Sequence, residues 1–140
     1  MKGSRDNEAC ANLRAAKLYC TRCRVAILKL LGSSGGPLSQ CQIARKLGSG
    51  QYDKVTIYRT LESLVNAGLV HKAFVQERAW HFELSNNCTE RQCHPHFTCT
   101  KCGKTHCFMG ISIPMAKRPP KGFVIRRQQV RLEGLCPACA

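Results

Sequence analysis

An α+β chain of two small domains is predicted by three observations. The first half shows helical apolar periodicity broken by Gly and Pro clusters, and then two runs of strand-like alternation. The second half is organised around two Cys-x-x-Cys pairs, Cys99/Cys102 and Cys136/Cys139. Between the halves lies a polar stretch without periodicity, which sets expected boundaries at 1–84, a linker at 85–93, and 94–140. A chain of 140 residues with 44% hydrophobic content can supply two cores, but each belongs to a unit small enough to need help. Metal and oligomerisation are the expected sources of that help.

Residues 8–18 read as a short helix carrying Arg14 and Lys17. Thr21 caps a second helix whose apolar side is Val25, Ile27, Leu28, Leu30 and Leu31, and Gly32 to Pro37 ends it. Ser39-Gln-Cys-Gln42 is a capping box for a third helix that stops at Gly48-Ser-Gly50. Asp53 caps a fourth over 54–67, closed by Gly68. Ile57, Leu61, Leu64 and Val65 give that helix one buried stripe, leaving Lys54, Thr56, Tyr58, Arg59 and Ser63 on its other face. Residues 69–75 and 79–84 flank a turn at Gln76-Glu-Arg78, with Trp80, Phe82 and Leu84 as the apolar side of the hairpin.

Helices followed by a hairpin make the winged-helix arrangement, whose fourth helix here would enter the major groove. Net charge is +14 and runs the length of the chain, so a polyanionic partner is expected. Charge and wing together point to double-stranded DNA, met by the outer face of the fourth helix with Lys54, Thr56, Tyr58 and Arg59.

Each Cys-x-x-Cys turn aims two sulfurs at one point, and two turns complete a closed tetrahedral shell for structural Zn²⁺. The residues between the pairs leave room for a strand, a short helix limited by Pro114, Pro119 and Pro120, and a long strand over 123–132 suited to pairing in a dimer. All five histidines fall between residues 71 and 106. A three-residue hairpin loop places His71 opposite Glu83, with His81 on the same face. His94 and His96 alternate on an extended segment and project to one side. These groups make a mixed N/O metal site that would bridge the two domains. Cys88, Cys93 and Cys107 crowd the same region, where they act as ligands favouring Zn²⁺ over Fe²⁺ or Mn²⁺, as redox groups, or as packing. Cys10 and Cys41 read as small buried fillers.

Asp53-Lys-Val-Thr-Ile-Tyr-Arg-Thr-Leu61, Gly68-Leu-Val-His-Lys72, His94-Pro-His-Phe-Thr-Cys-Thr-Lys-Cys-Gly103 and Gly134-Leu-Cys-Pro-Ala-Cys139 occur in this order. Together they resemble the ferric uptake regulator family, over about Leu13 to Cys139. The resemblance implies a homodimeric winged-helix repressor that binds an inverted-repeat operator when loaded with metal. It implies that Tyr58 and Arg59 contact DNA, with Arg14, Lys17 and Arg24 on phosphate or in the minor groove. It places the regulatory metal, Zn²⁺ or Fe²⁺, on His71, Glu83, His94 and His96, with His81 competing for the role of Glu83 and Cys93 as a further candidate. Control of zinc or iron homeostasis is the expected role. The chain departs from the family pattern at Gln128 and Pro37, where relatives often carry histidine.

Two other readings compete: a peroxide sensor of the same family, and a thiol-redox or zinc-chaperone protein acting through Cys20-x-x-Cys23. No hydrolytic constellation is present, so the chain is expected to act by binding rather than catalysis. It has no apolar run long enough for a membrane span and no signal-peptide pattern, which makes the cytoplasm the expected location.

Overall fold

Side-chain caps open three of the helices in the N-terminal part of the chain. Thr21 accepts from the Arg24 amide (3.4 Å) and starts α2 (Arg22–Ser33). Ser39 and Gln42 exchange reciprocal bonds of 3.2 and 2.9 Å, the expected capping box, and start α3 (Gln40–Leu47). Asp53 accepts from the Thr56 amide at 2.6 Å and starts α4 (Lys54–Asn66). Each cap satisfies amides that the first helical turn leaves without partners. The same Thr56 bonds hold the Asp53 carboxyl below the usual carboxylate range. Gly68 follows α4 at φ 77°, the left-handed stop expected of it. The first helix, α1 (Lys2–Ala15), begins earlier than expected. Its polar opening turns are anchored to α2 by an Asp6–Lys29 pair at 2.5 Å.

The computed structural model describes residues 2–48, 50–85, 94–108 and 110–140. The chain divides into two units, Met1–Asn86 and Asn87–Ala140. Most of the expected linker, with Cys88 and Cys93, lies outside the described residues.

In the first unit Leu13, Ile27, Ile43, Ile57, Leu61, Leu64 and Val70 are buried together, so three residues of the stripe predicted for α4 lie in the core, with Val65 packed partly buried against it. An antiparallel sheet of order β1-β3-β2 closes it, built from β1 (Leu38–Ser39), β2 (Val70–Gln76) and β3 (Ala79–Leu84). The short β1, which sequence patterning does not reveal, pairs Leu38 with Phe82.

The hairpin reaches its expected pairing by an unexpected route. Its turn has two residues rather than three: Glu77 and Arg78 both take positive φ (50° and 64°), and Gln76 pairs with Ala79. A bulge between Lys72 and Phe74 then shifts the ladder by one, so His71 does lie opposite Glu83. Phe82 and Leu84 pack on the helical core as expected, but Trp80 is 44% exposed and is not core. It sits on the turn side of the bulge, with the Lys72 ammonium 5.5 Å from its ring centre.

Cys10 and Cys20 are joined as a disulfide, with Cα atoms 5.2 Å apart, so Cys10 is not a filler. The chain reverses after α1 through Lys17 (φ 61°), which brings the two together. Cys41 is exposed, also against expectation, because it falls on the outer side of α3 while Ile43 takes the core. Reducing the disulfide is expected to destabilise this unit by about 2–3 kcal/mol through the released loop entropy. Urea unfolding followed by Trp80 fluorescence, with and without reductant, measures the loss; Cys10→Ala should unfold alike in both conditions.

The second unit holds a sheet of order β5-β4-β6: β4 (His96–Cys99) pairs antiparallel with β5 (Thr105–Cys107) and parallel with β6 (Arg131–Gly134). The expected short helix is absent among the described residues, and of the expected long strand only residues 131–132 lie in β6. β4 presents four residues, which match Arg131 to Gly134 and leave the preceding segment without a ladder. Phe123 and Val124 are accordingly 69% and 83% exposed. Gln128 instead braces the proline-rich stretch, donating to the Pro114 carbonyl (3.1 Å) and accepting from the Ala116 amide (2.7 Å).

Candidate metal centres and nucleic-acid interface

The Cys99-x-x-Cys102 turn joins β4 to β5, closed by Gly103 at φ 74° and by the Cys99 amide donating to the Lys104 carbonyl (2.9 Å). Beside it, β6 ends at Gly134, whose carbonyl accepts from the Thr100 amide at 2.8 Å. That pairing delivers Cys136 and Cys139 to the same place, so the last strand is held against the start of the unit. All four sulfurs lie within 4.8 Å of one another. The Cys136 amide donates to the Cys99 sulfur (3.5 Å), and the Cys102 and Cys136 sulfurs are 3.8 Å apart.

Electrostatics prepare this centre unevenly. Backbone amides at Cys102 and Cys136 pull the Cys99 thiol down to about 6, which favours its thiolate. Cys139 is pushed up to about 12, chiefly by its bond with the Cys136 sulfur and then by burial. A dication reverses that second cost, because each thiolate then faces positive charge. Four sulfurs leave no open position, and the donor set fits structural Zn²⁺.

A second cluster lies at the other end of β4. His96 pairs directly with Cys107, and the His94 ring is 4.8 Å from that of His96. The ligand atoms of His94, His96 and Cys107 all lie within 4.8 Å of one another. Sequence reading leaves the role of Cys107 open, although counting the hairpin outward from the Cys99–Cys102 turn would place it across from His96.

On the wing, His71 Nε2 is 2.7 Å from Glu83 Oε1, so these two expected ligands do meet. His81 stacks on Phe74, with centroids 4.9 Å apart and planes 17° apart, and its Nδ1 lies 3.1 Å from the Ala79 carbonyl oxygen. One face of its ring is thereby packed against Phe74. Cys93 lies outside the described residues.

The outer face of α4 carries Lys54, Thr56, Tyr58 and Arg59, all exposed, with Tyr58 at 54%. Val55, 57% exposed, stands one turn before Tyr58 and Arg59 and escapes sequence reading because an apolar residue is credited to the core. Arg14 and Lys17 are exposed, whereas Arg24 is half-buried and donates to the Tyr19 carbonyl at 2.9 Å. Cys20 is bonded to Cys10 rather than Cys23, and Cys23 is buried beside the Thr60 hydroxyl (3.5 Å). The pair therefore does not form the exposed dithiol that a redox enzyme needs.

Comparison with known proteins agrees with this architecture. The chain is 29% identical over 121 residues to the zinc uptake regulation protein of Escherichia coli K12, covering 83% of this chain and 70% of that one. It is 33% identical over 87 residues to the ferric uptake regulation protein of Synechococcus elongatus, covering 60% of this chain and 57% of that one, so the match spans less than two thirds of this relative. A solved structure of a zinc uptake regulator complexed with zinc and DNA shares the fold, with a TM-score of 0.62 at 23% identity over 95% of this chain and 91% of that one. The model of the ferric uptake regulator family matches residues 15–131, which is most of the sequence. The chain belongs to the ferric uptake regulator family.

Proposed function

We propose that this chain is a metal-responsive transcriptional repressor that binds an inverted-repeat operator as a homodimer and controls zinc or iron homeostasis in the cytoplasm. The observation that carries the reading is the presence, in one small unit, of a closed four-cysteine centre and a second, separate donor cluster on β4 and β5. A closed four-sulfur site holds its metal as part of the fold; a smaller mixed site exchanges it. The regulatory ligands are His94 and His96, joined by His71 and Glu83 as the family resemblance suggests, with His81 and Cys93 as subsidiary candidates. Metal bound there favours the arrangement that spaces two recognition helices on the operator, and its loss relaxes that arrangement.

Tyr58 and Arg59 read the major groove from α4, flanked by Lys54 and Thr56, while Arg14, Lys17 and Arg24 take the backbone. Two copies are needed to read a repeat, and the exposed Phe123, Val124 and Ile125 offer apolar surface for that association. The similarity to zinc uptake regulators supports zinc as the signal. The mechanism is binding, with no catalytic step. No helix among the described residues is long and apolar enough to cross a membrane.

Fluorescence anisotropy with a palindromic, A·T-rich duplex tests the reading at fixed salt. Protein stripped of exchangeable metal is titrated with Zn²⁺, Mn²⁺ or, anaerobically, Fe²⁺. One ion is expected to tighten binding by about 5- to 150-fold, the usual span of coupling between two sites. The double variant His94→Ala/His96→Ala should keep the weak metal-free binding and lose the response. Equal binding with and without every ion would remove the sensor from the proposal.

A further inference from the structure

Cys107 is the one member of the β4–β5 cluster that the functional reading leaves unused, and its position is built rather than incidental. In the antiparallel ladder it lies directly across from His96, so both side chains leave the same face. His94 joins them by the alternation of an extended chain, and the three donors lie within 4.8 Å of one another. The neighbouring His106 falls on the opposite face, 6.5 Å from the Phe97 ring, and stays out of the cluster. The turn that sets this register is the Cys99–Cys102 turn itself. Closing the four-cysteine centre therefore fixes which residue stands opposite His96.

Donor chemistry then decides the ion. Imidazoles serve zinc, copper, iron and nickel alike, and carboxylates suit harder ions such as Mn²⁺. A thiolate selects zinc-like and softer ions. We propose that Cys107 is the specificity-determining ligand of the sensing site, and that its thiolate makes the switch answer to Zn²⁺ in preference to Fe²⁺ and Mn²⁺. On binding, the thiol proton passes to solvent and a sulfur–zinc bond forms, with no change of oxidation state. The inference rests on the metal-switched reading above and names the metal for it.

Co²⁺ serves as a coloured substitute for Zn²⁺. The full chain, with its four-cysteine centre first filled with Zn²⁺, receives one further equivalent of Co²⁺. A sulfur-to-cobalt charge-transfer band in the near ultraviolet is expected in the wild type and should be missing from the Cys107→Ser difference spectrum. Chelator competition should show Zn²⁺ affinity at the second site reduced at least about tenfold in Cys107→Ser, since losing even a group that merely supports a ligand has that effect. Cys107→Asp, which keeps a donor of harder class, should move the preference toward Fe²⁺ and Mn²⁺. A wild-type spectrum without the sulfur band, or equal Zn²⁺ affinity in Cys107→Ser, overturns the assignment even if folding of a variant is in question, because the spectrum needs only the native chain. DNA binding indifferent to all metals refutes the sensor reading while leaving the band to report on the ligand. Metal-switched binding with an unchanged ion preference in Cys107→Ser refutes the present inference alone.

Discussion

Cys136→Ser is expected to cost the C-terminal unit its fold and the protein its dimer. Cys136 is buried, its amide donates to the Cys99 sulfur at 3.5 Å, and it follows the strand β6 that pairs with β4. The sheet has three short strands, and no helix accompanies it among the described residues. Structural zinc contributes about 10–16 kcal/mol in small domains at neutral pH. A whole domain is stable by only about 5–15 kcal/mol, so zinc supplies as much as the entire margin and its loss decides the outcome. The variant should elute as a monomer, lose one zinc per chain by atomic emission, and lose strand signal in circular dichroism. Trp80 reports on the other unit and should keep its native emission. Cys41→Ser, at an exposed cysteine, is the control and should change stability by less than about 0.5 kcal/mol. In the metal-free protein, a thiol whose pKa is lowered on folding stabilises above its ordinary range, and that support is lost as pH falls through about 6 at Cys99. A variant that retained its zinc and its dimer would show that the sheet stands without the four-cysteine centre.

Capping residues and the two cysteine pairs were legible in the sequence because their chemistry is local. Ser39 with Gln42, Asp53 with Thr56, and Gly68 each act within one turn, and the structure contains all three. The buried stripe of α4 was legible for the same reason, since periodicity alone sets it. What escaped depends on long-range geometry. The strand β1 is only two residues long and exists because Phe82 and His81 are there to pair with it. The hairpin register came out right through compensation, a two-residue turn offset by the bulge near Ala73, and neither event has a sequence signature. Glu77 and Arg78 adopt positive φ where glycine or asparagine would have announced the turn. The strand expected over 123–132 has the right composition, but a strand needs a neighbour, and β4 is too short to supply one beyond residue 131. Cys107 was visible as a thiol, and its pairing with His96 follows from the register that the Cys99–Cys102 turn sets.

Arg59→Ala should abolish operator recognition while leaving the fold intact. Arg59 is exposed on α4, between the exposed Tyr58 and the core-facing Leu61, so truncating it removes little packing and should change stability by less than about 0.5 kcal/mol. An arginine that reads a guanine edge contributes about 1–3 kcal/mol, and a dimer on an inverted repeat makes the contact twice. The expected loss is therefore about 2–6 kcal/mol, or roughly 30-fold to more than 10⁴-fold in affinity. Tyr58→Ala should act in the same direction through its lost apolar contact with a thymine methyl. Lys17→Ala provides the contrast: as a phosphate contact it should weaken specific and non-specific duplexes alike and flatten the salt dependence by about one ion per subunit. Anisotropy on the operator and on a scrambled duplex, at several salt concentrations, separates the two behaviours. If Arg59→Ala lost affinity equally on both duplexes, Arg59 would be a backbone contact, and sequence reading would have to move to Val55, Thr56 and Tyr58 on the same face.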